Sequence, residues 1–303
     1  MRKNLKSDIE IPRLGFGTYL IPDEEAQSLV EQAIRSGYRH IDTAEGYRNE
    51  RGVGLGIKSG LQELGLCRQD IFVTTKLWPG NEAWGQTPKT YESTIEALKA
   101  SLEKLGLDYV DLYLIHAPFS KPQRLEQWRA LVDLRRMGKV TAIGVSNFNE
   151  THIEELSAAG LPLPDANQIE LHPWSQKPGL VSYLERNGIS IIAYSSLIPL
   201  SNWREVPGQN SGKTEDMKAE GAAADSPFKL MAKKYDVSEA QILLRWGLQK
   251  GYAVLPKSTN EERIRKNIDL FSFEIDEKDM AAIAEMDKGD GIAWGSGDPT
   301  RAD

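Results

Sequence analysis

"IFVTTKLW" at residues 71–78 and "VDLYLIHA" at residues 110–117 frame the segment whose reading decides the fold. Both are short runs of β-branched and apolar side chains, strand-like in length and composition. Between them, across residues 90–105, Ile95, Leu98, Leu102 and Leu105 recur at steps of three and four, the spacing of an amphipathic helix. A strand, a crossover helix and a second strand make a parallel unit.

The same alternation extends in both directions. Earlier strands are expected at "RLGFGTYL" (13–20) and "HIDTA" (40–44). Later ones are "VTAIGVSNF" (140–148), "ANQIELHP" (166–173), "SIIAYSSL" (190–197) and "YAVLPKS" (252–258). Helix starts are expected at Thr87-Pro88, Asn149 and Asn260, each ahead of a polar, helix-forming turn. Eight such units satisfy either an open doubly wound sheet or a closed barrel. Polar residues stand at the C-terminal ends of nearly all the strands, whereas an open sheet would gather them near one switch point. The expected fold is therefore α/β, a (β/α)8 TIM barrel forming a single domain over residues 1–303. A small N-terminal β-hairpin is expected at residues 4–12. A long loop after strand 7, residues 198–226, is rich in Gly, Ser, Asn and charge, as in a lid or a disordered segment.

Composition narrows the function. The chain of 303 residues carries a net charge of -7, which disfavours non-specific nucleic-acid binding. Its single cysteine, Cys67, excludes an internal disulfide and a thiolate metal cluster and fits a reducing compartment. No apolar run reaches the length of a membrane span, and "MRKNLKSDIE" lacks the apolar centre of a secretory signal. The expectations are a cytoplasmic protein with no membrane, nucleic-acid or metal partner, monomeric, with a weak dimer as the alternative.

A barrel brings its strand ends to one rim, so residues distant in sequence become neighbours. Strand 2 ends in Asp42, with Tyr47 just beyond; strand 3 offers Lys76; strand 4 ends at His116, in phase with Leu112 and Leu114. Singly, Asp42 reads as a cap, Lys76 as a solvated strand end and His116 as a core histidine. Together they suit one task. A tyrosine, with a pKa of roughly 10, is a poor acid until a nearby cation stabilises its phenolate. A buried lysine keeps its charge when a carboxylate holds it. A histidine can donate to a carbonyl oxygen and orient it. Such a set protonates an oxygen becoming an alkoxide. With no serine elbow, reactive thiol or metal cluster evident, the missing nucleophile is a hydride from a cofactor.

Other rim residues suit a nicotinamide dinucleotide. Ser146, Asn147 and Gln168 offer groups for a carboxamide, and Tyr194 offers a flat face for stacking. "PKSTNEERIRKN" gathers Lys257, Ser258, Thr259, Asn260 and Arg263 around a helix start, an anion site whose bland alternative is a capped, charged helix.

"DTAEGYRNE", "TTKLW", "LIHAP", "IGVSNF", "NQIELHP", "AYSSL" and "PKSTNEERIRKN", in this order and spacing, resemble the aldo-keto reductase family over residues 14–286. The resemblance implies a metal-free barrel reducing an aldehyde or ketone with NADPH, NADH being the less favoured cofactor. It implies Tyr47 as general acid, tuned by Lys76 and Asp42, with His116 placing the carbonyl. Ser146, Asn147 and Gln168 would hold the carboxamide and Tyr194 would stack on the nicotinamide. Gly17, Thr18, Tyr19, Asp42, Ser195, Ser196, Leu197 and Thr259 would add further cofactor contacts. Lys257, Ser258, Asn260 and Arg263 would meet the 2′-phosphate, and Asn267 the adenine. Tyr19, Trp78, His116, Ala117 and Trp294 would line the substrate pocket.

Some positions depart from the family pattern. Lys266 stands where many members are acidic, and Ser196 where proline is frequent. Tyr19 stands where tryptophan is commoner. Ala117 replaces a frequent tryptophan and the loop behind it is short, which predicts a wider, less aromatic pocket on that side.

Some motifs are decoys. "PGQNSGKT" at 207–214 is one residue too short between Gly208 and Gly212 for an ATP-binding loop; in this family Lys213 would sit in a flap over the pyrophosphate. "GVGLGIKSG" at 52–60 fails the dinucleotide spacing, and its small residues suit close helix–barrel packing. His40 and His172 lack partners at metal-ligand spacing and read as structural. Two other functions compete: a Schiff-base aldolase or lyase with Lys76 as nucleophile, and a non-catalytic cofactor-binding subunit.

Overall fold

In the computed structural model, residues 2–4, 9–200, 219, 223–289 and 291–302 are described. An antiparallel pair, β1 (Arg2–Asn4) and β2 (Glu10–Pro12), forms the expected N-terminal hairpin. Eight strands follow. They are β3 (Phe16–Gly17), β4 (His40–Asp42), β5 (Phe72–Leu77) and β6 (Val110–Ile115). Then come β7 (Val140–Ser146), β8 (Ala166–Glu170), β9 (Ser190–Tyr194) and β10 (Ala253–Val254). They pair in sequence order, each neighbour parallel.

The two outer strands meet. Val254 N donates to Arg13 O at 2.8 Å, Gly15 N to Val254 O at 2.9 Å and Gly17 N to Pro256 O at 3.0 Å. These bonds close the sheet, so the architecture is a barrel and not an open sheet. Each strand is shorter than its sequence run.

The helices between strands are α1 (Asp23–Arg35), α2 (Glu50–Leu64), α3 (Tyr91–Leu105), α4 (Arg124–Arg136) and α5 (Glu150–Ala158). After them come α6 (Pro178–Arg186), α7 (Pro227–Tyr235), α8 (Glu239–Gln249), α9 (Glu261–Lys266) and α10 (Glu277–Ala284). Asn149 and Asn260 cap α5 and α9 as expected, accepting from His152 N and Arg263 N. The expected start at Thr87-Pro88 is corrected. Thr90 is the N-cap of α3, because Lys89 N is still bonded to Pro79 O at 2.9 Å and holds the chain in the preceding loop.

The glycines of α2 also differ from expectation. A methyl added at Gly52 would lie 2.1 Å from Asp23 O, and one at Gly54 would lie 2.1 Å from Leu105 O. They let α2 press against the start of α1 and the end of α3, so the close approach is helix to helix rather than helix to barrel.

Leu112, Leu114, Ala142, Ala166, Ile192 and Ala253 alternate into the barrel interior, and Ile11 of the hairpin packs with them. The outward-facing residues, among them Tyr113, Ile115 and Ile143, join the larger helix-packed core. His40 lies fully buried, its Nε2 2.9 Å from Thr74 Oγ1, and burial depresses its pKa to about 4. The unfolded chain takes up a proton near pH 6.5 while the native imidazole does not, so stability falls as pH drops through that window. From the pKa of about 4, the loss by pH 4 is about 3 kcal/mol. Urea unfolding at pH 7 and pH 4.5 should therefore show a smaller pH effect in His40→Gln than in the wild type; equal slopes would assign the acid sensitivity elsewhere.

Of the predicted long loop, residues 201–218 and 220–222 lie outside the described residues, and with them the decoy at 207–214 and Lys213. Among the described residues no helix is long and apolar enough to cross a membrane.

Candidate active site

Three adjacent strands deliver the charged groups. Asp42 ends β4, Lys76 is the penultimate residue of β5, and His116 follows β6 directly. A short 3-10 turn, Glu45–Tyr47, closed by Arg48 in the left-handed region (φ 58), brings Tyr47 over the same rim. Lys76 is fully buried. Its Nζ donates to Asp42 Oδ1 at 2.6 Å, to Thr43 O at 2.8 Å and to Tyr47 OH at 3.3 Å. Those three acceptors use all three ammonium protons. Burial pulls the Lys76 pKa below its ordinary value, and the Asp42 charge and hydrogen bond oppose that pull. Asp42 is itself held from the far side, where Gln168 Nε2 donates to Oδ2 at 2.8 Å.

His116 is pushed well below the usual histidine range, by burial first and then by the Lys76 charge, so it is neutral at pH 7. Its Nδ1 is buried without a hydrogen-bond partner. Its ring meets Tyr47 edge-on at 5.5 Å, Trp78 at 5.5 Å and Trp294 at 6.1 Å between centroids.

A belt of amides continues around the rim. Ser146 Oγ donates to Gln168 O at 2.8 Å, and Asn147 Nδ2 donates to His116 O at 2.9 Å. Tyr194 OH donates to Asn147 Oδ1 at 2.7 Å. Asn147 (φ 64) and Ser195 (φ 57) both adopt the left-handed region, an energetic cost that concentrates at functional sites.

One cleft of about 1270 Å³ connects these groups. It runs from an aromatic end at Trp78, Trp84 and Trp294, past Tyr47, His116, Gln168 and Tyr194, to a basic end at Lys257, Arg263 and Lys266. Among the expected residues, Gly17, Tyr19, Asp42, Ser146, Asn147, Ser195, Ser196 and Leu197 line its middle. Ser258, Thr259 and Asn267 line the basic end.

Four expected residues do not line it. Lys76 lies behind Tyr47 and Asp42, fully buried. Thr18 is buried, donating through Oγ1 to Asp42 O at 3.0 Å. Asn260 is committed to capping α9. Ala117 is fully buried and does not reach the cleft. Aromatic rings pack beside this side of the rim. Phe119 and Trp84, from the loops after β6 and β5, pack at 5.3 Å, and Phe119 meets Trp78 at 6.0 Å and Trp294 at 5.7 Å. Glu45, Arg48 and Gln86 also face the cleft without having been singled out from the sequence. Glu45 Oε2 accepts from Trp78 N at 2.9 Å, and Trp78 Nε1 donates to Gln86 Oε1 at 2.7 Å, which fixes the indole.

The groups present fit a phosphorylated dinucleotide. Neither Lys257 nor Arg263 has a carboxylate partner among the described residues, and burial together with the Arg263 charge lowers the Lys257 pKa despite Glu25. Two neighbouring cations without an ion-paired carboxylate favour an anion. In the middle of the cleft Ser196 Oγ is buried with no partner, a free polar group for a ligand. Among the described residues there is no cluster of His, Cys, Asp or Glu able to hold a metal.

Comparison with known proteins agrees with this geometry. The Aldo/keto reductase family matches residues 13–288. A glyoxal reductase of Bacillus subtilis (strain 168) is 40% identical over 285 residues, 94% of this chain and 92% of the relative. A 9,11-endoperoxide prostaglandin H2 reductase of Trypanosoma cruzi (strain CL Brener) is 38% identical over 97% of this chain and 93% of its own length. A Bombyx mori aldo-keto reductase, solved in complex with NADP, superposes with a TM-score of 0.84 at 35% identity, covering 97% of this chain and 95% of that one. With the barrel, the rim and these relatives in agreement, the chain belongs to the aldo/keto reductase family.

Proposed function

We propose that the protein reduces an aldehyde or ketone to an alcohol with NADPH, Tyr47 acting as the general acid. The observation that carries the reading is the buried contact of Lys76 with both Asp42 and Tyr47. Lys257, Ser258 and Arg263 would hold the 2′-phosphate, Asn267 the adenine, Ser146, Asn147 and Gln168 the carboxamide, and Tyr194 the ring face. The chemistry the dinucleotide supplies when bound is a hydride for the carbonyl carbon.

The chain's own residues do the rest. Neutral His116 donates to the carbonyl oxygen and fixes its direction. As negative charge grows on that oxygen, the Tyr47 hydroxyl transfers its proton, and the Lys76 ammonium stabilises the phenolate left behind. Asp42 keeps Lys76 charged without entering the reaction. Trp78, Trp84 and Trp294 line the substrate half and suit a flat or aromatic carbonyl. A glyoxal reductase among the relatives and a neighbour solved with NADP support the reaction class. A Schiff-base role for Lys76 is disfavoured, because a nitrogen donating three hydrogen bonds offers no lone pair.

The test follows NADPH and NADH oxidation over aromatic aldehydes, keto esters, sugars and steroids. Arg263→Ala should weaken NADPH binding about 10- to 100-fold, the worth of a hydrogen bond to a charged group. NADH affinity should move by less than about threefold, since it lacks the phosphate that Arg263 would meet. Fluorescence titration measures both; equal losses would place the phosphate elsewhere.

A further inference from the structure

A buried carboxylate stands at the rim outside the catalytic group. Glu170 ends β8, is 1% exposed, and pairs with the fully buried His172 at 2.8 Å. Its remaining capacity goes to the C-terminal tail. Oε1 accepts from Ile292 N at 2.8 Å and Oε2 accepts from Ala293 N at 2.9 Å. Burying a charged side chain is costly unless its hydrogen bonds are made, and here two consecutive backbone donors make them.

The residue next to that clamp is Trp294. Its indole stacks on Trp78 at 6.4 Å with an interplanar angle of 12°, and its Nε1 donates to Tyr194 OH at 2.9 Å. The tail is tied again beyond this point, where Asp298 pairs with Lys177 and accepts from Gly291 N at 2.9 Å. The tail therefore turns back on itself with Trp294 facing the cleft and Glu170 behind it.

We propose that Glu170 is a positioning residue for the carbonyl substrate. By holding the backbone at Ile292 and Ala293 it sets Trp294 as a wall of the substrate half and so discriminates between carbonyls by size. This rests on the carbonyl-reductase reading above. Glu170 touches neither the proton donor nor the basic end, so its effect falls on binding of large substrates and not on proton transfer.

Gly291 supplies a test that leaves Glu170 in place. A methyl at this position would lie 2.6 Å from Glu170 Oε2 and 3.1 Å from Asp298 Oδ2, so the contact between the Glu170 carboxylate and the tail must rearrange to admit it. Gly291→Ala, Glu170→Gln and Trp294→Ala are compared with the wild type at saturating NADPH, on 2-naphthaldehyde and on propanal. Each variant should raise KM for 2-naphthaldehyde about tenfold, the scale of one lost aromatic stack, with kcat within about threefold. KM for propanal should change by less than about threefold in Gly291→Ala and Glu170→Gln, which keep the indole; Trp294→Ala, which removes part of the pocket itself, is read on 2-naphthaldehyde alone. Gly291→Ala combined with Trp294→Ala should add less than about twofold, because both act through one indole.

A merely structural role predicts equal losses on both aldehydes and effects that multiply in the double variant; either result overturns the proposal. If Glu170→Gln does not fold, Gly291→Ala alone decides. A wild-type protein that oxidises NADPH with neither aldehyde would instead overturn the reductase reading itself, and the proposal with it.

Discussion

Tyr47→Phe should lower kcat for carbonyl reduction about 10²- to 10⁴-fold, the range attributable to a general acid. The affinity for NADPH should stay within about threefold, because no charged contact is lost. The ring survives the substitution, and with it the edge contact to His116 at 5.5 Å and the packing on Tyr19 at 5.0 Å. Only the hydroxyl 3.3 Å from Lys76 Nζ is removed. Single-turnover kinetics separate the two effects, since hydride transfer slows while dinucleotide binding does not. Turnover at the wild-type rate would mean that His116 or water protonates the alkoxide. A loss in NADPH affinity matching the loss in kcat would mean instead that the ring, not the hydroxyl, had been serving the site.

The strand runs and their order were legible because a parallel strand buried on both faces writes itself as a near-continuous apolar run. Phase carried further: His116 shares parity with Leu112 and Leu114, which fill the barrel interior, so its place on the inner rim followed from counting by two. What phase could not supply was loop geometry. Trp84 ends a single 3-10 turn, Glu82–Trp84, and Phe119 lies in an irregular loop, both too short to show a period, and their contact with Trp78 and Trp294 depends on how the two connections fold over the rim. The α3 cap failed for a related reason: Thr87-Pro88 carries the chemistry of a helix start, but a loop-to-loop hydrogen bond at Lys89 holds the chain until Thr90. Glu170 had no sequence signal either, since it gains its role from a tail more than a hundred residues later.

Lys76→Met is expected to be the most damaging single change to the whole molecule, because it removes half of a buried ion pair while nearly preserving volume. Asp42 would keep its Gln168 donor but lose its cation, and breaking one side of such a pair costs about 3–5 kcal/mol. Urea unfolding at pH 7 should register that loss. Turnover should fall about 10²- to 10⁴-fold, since the phenolate would no longer have a cation beside it. Adding Asp42→Asn to Lys76→Met neutralises the stranded carboxylate, so the double variant should recover most of the stability and none of the activity. That split bears on why the pair exists. Apolar replacements for buried ion pairs are commonly neutral or stabilising, so stability alone does not favour a lysine inside a barrel. Recovery of both stability and turnover would make the pair a packing device, and Tyr47 would then need another source for its acidity.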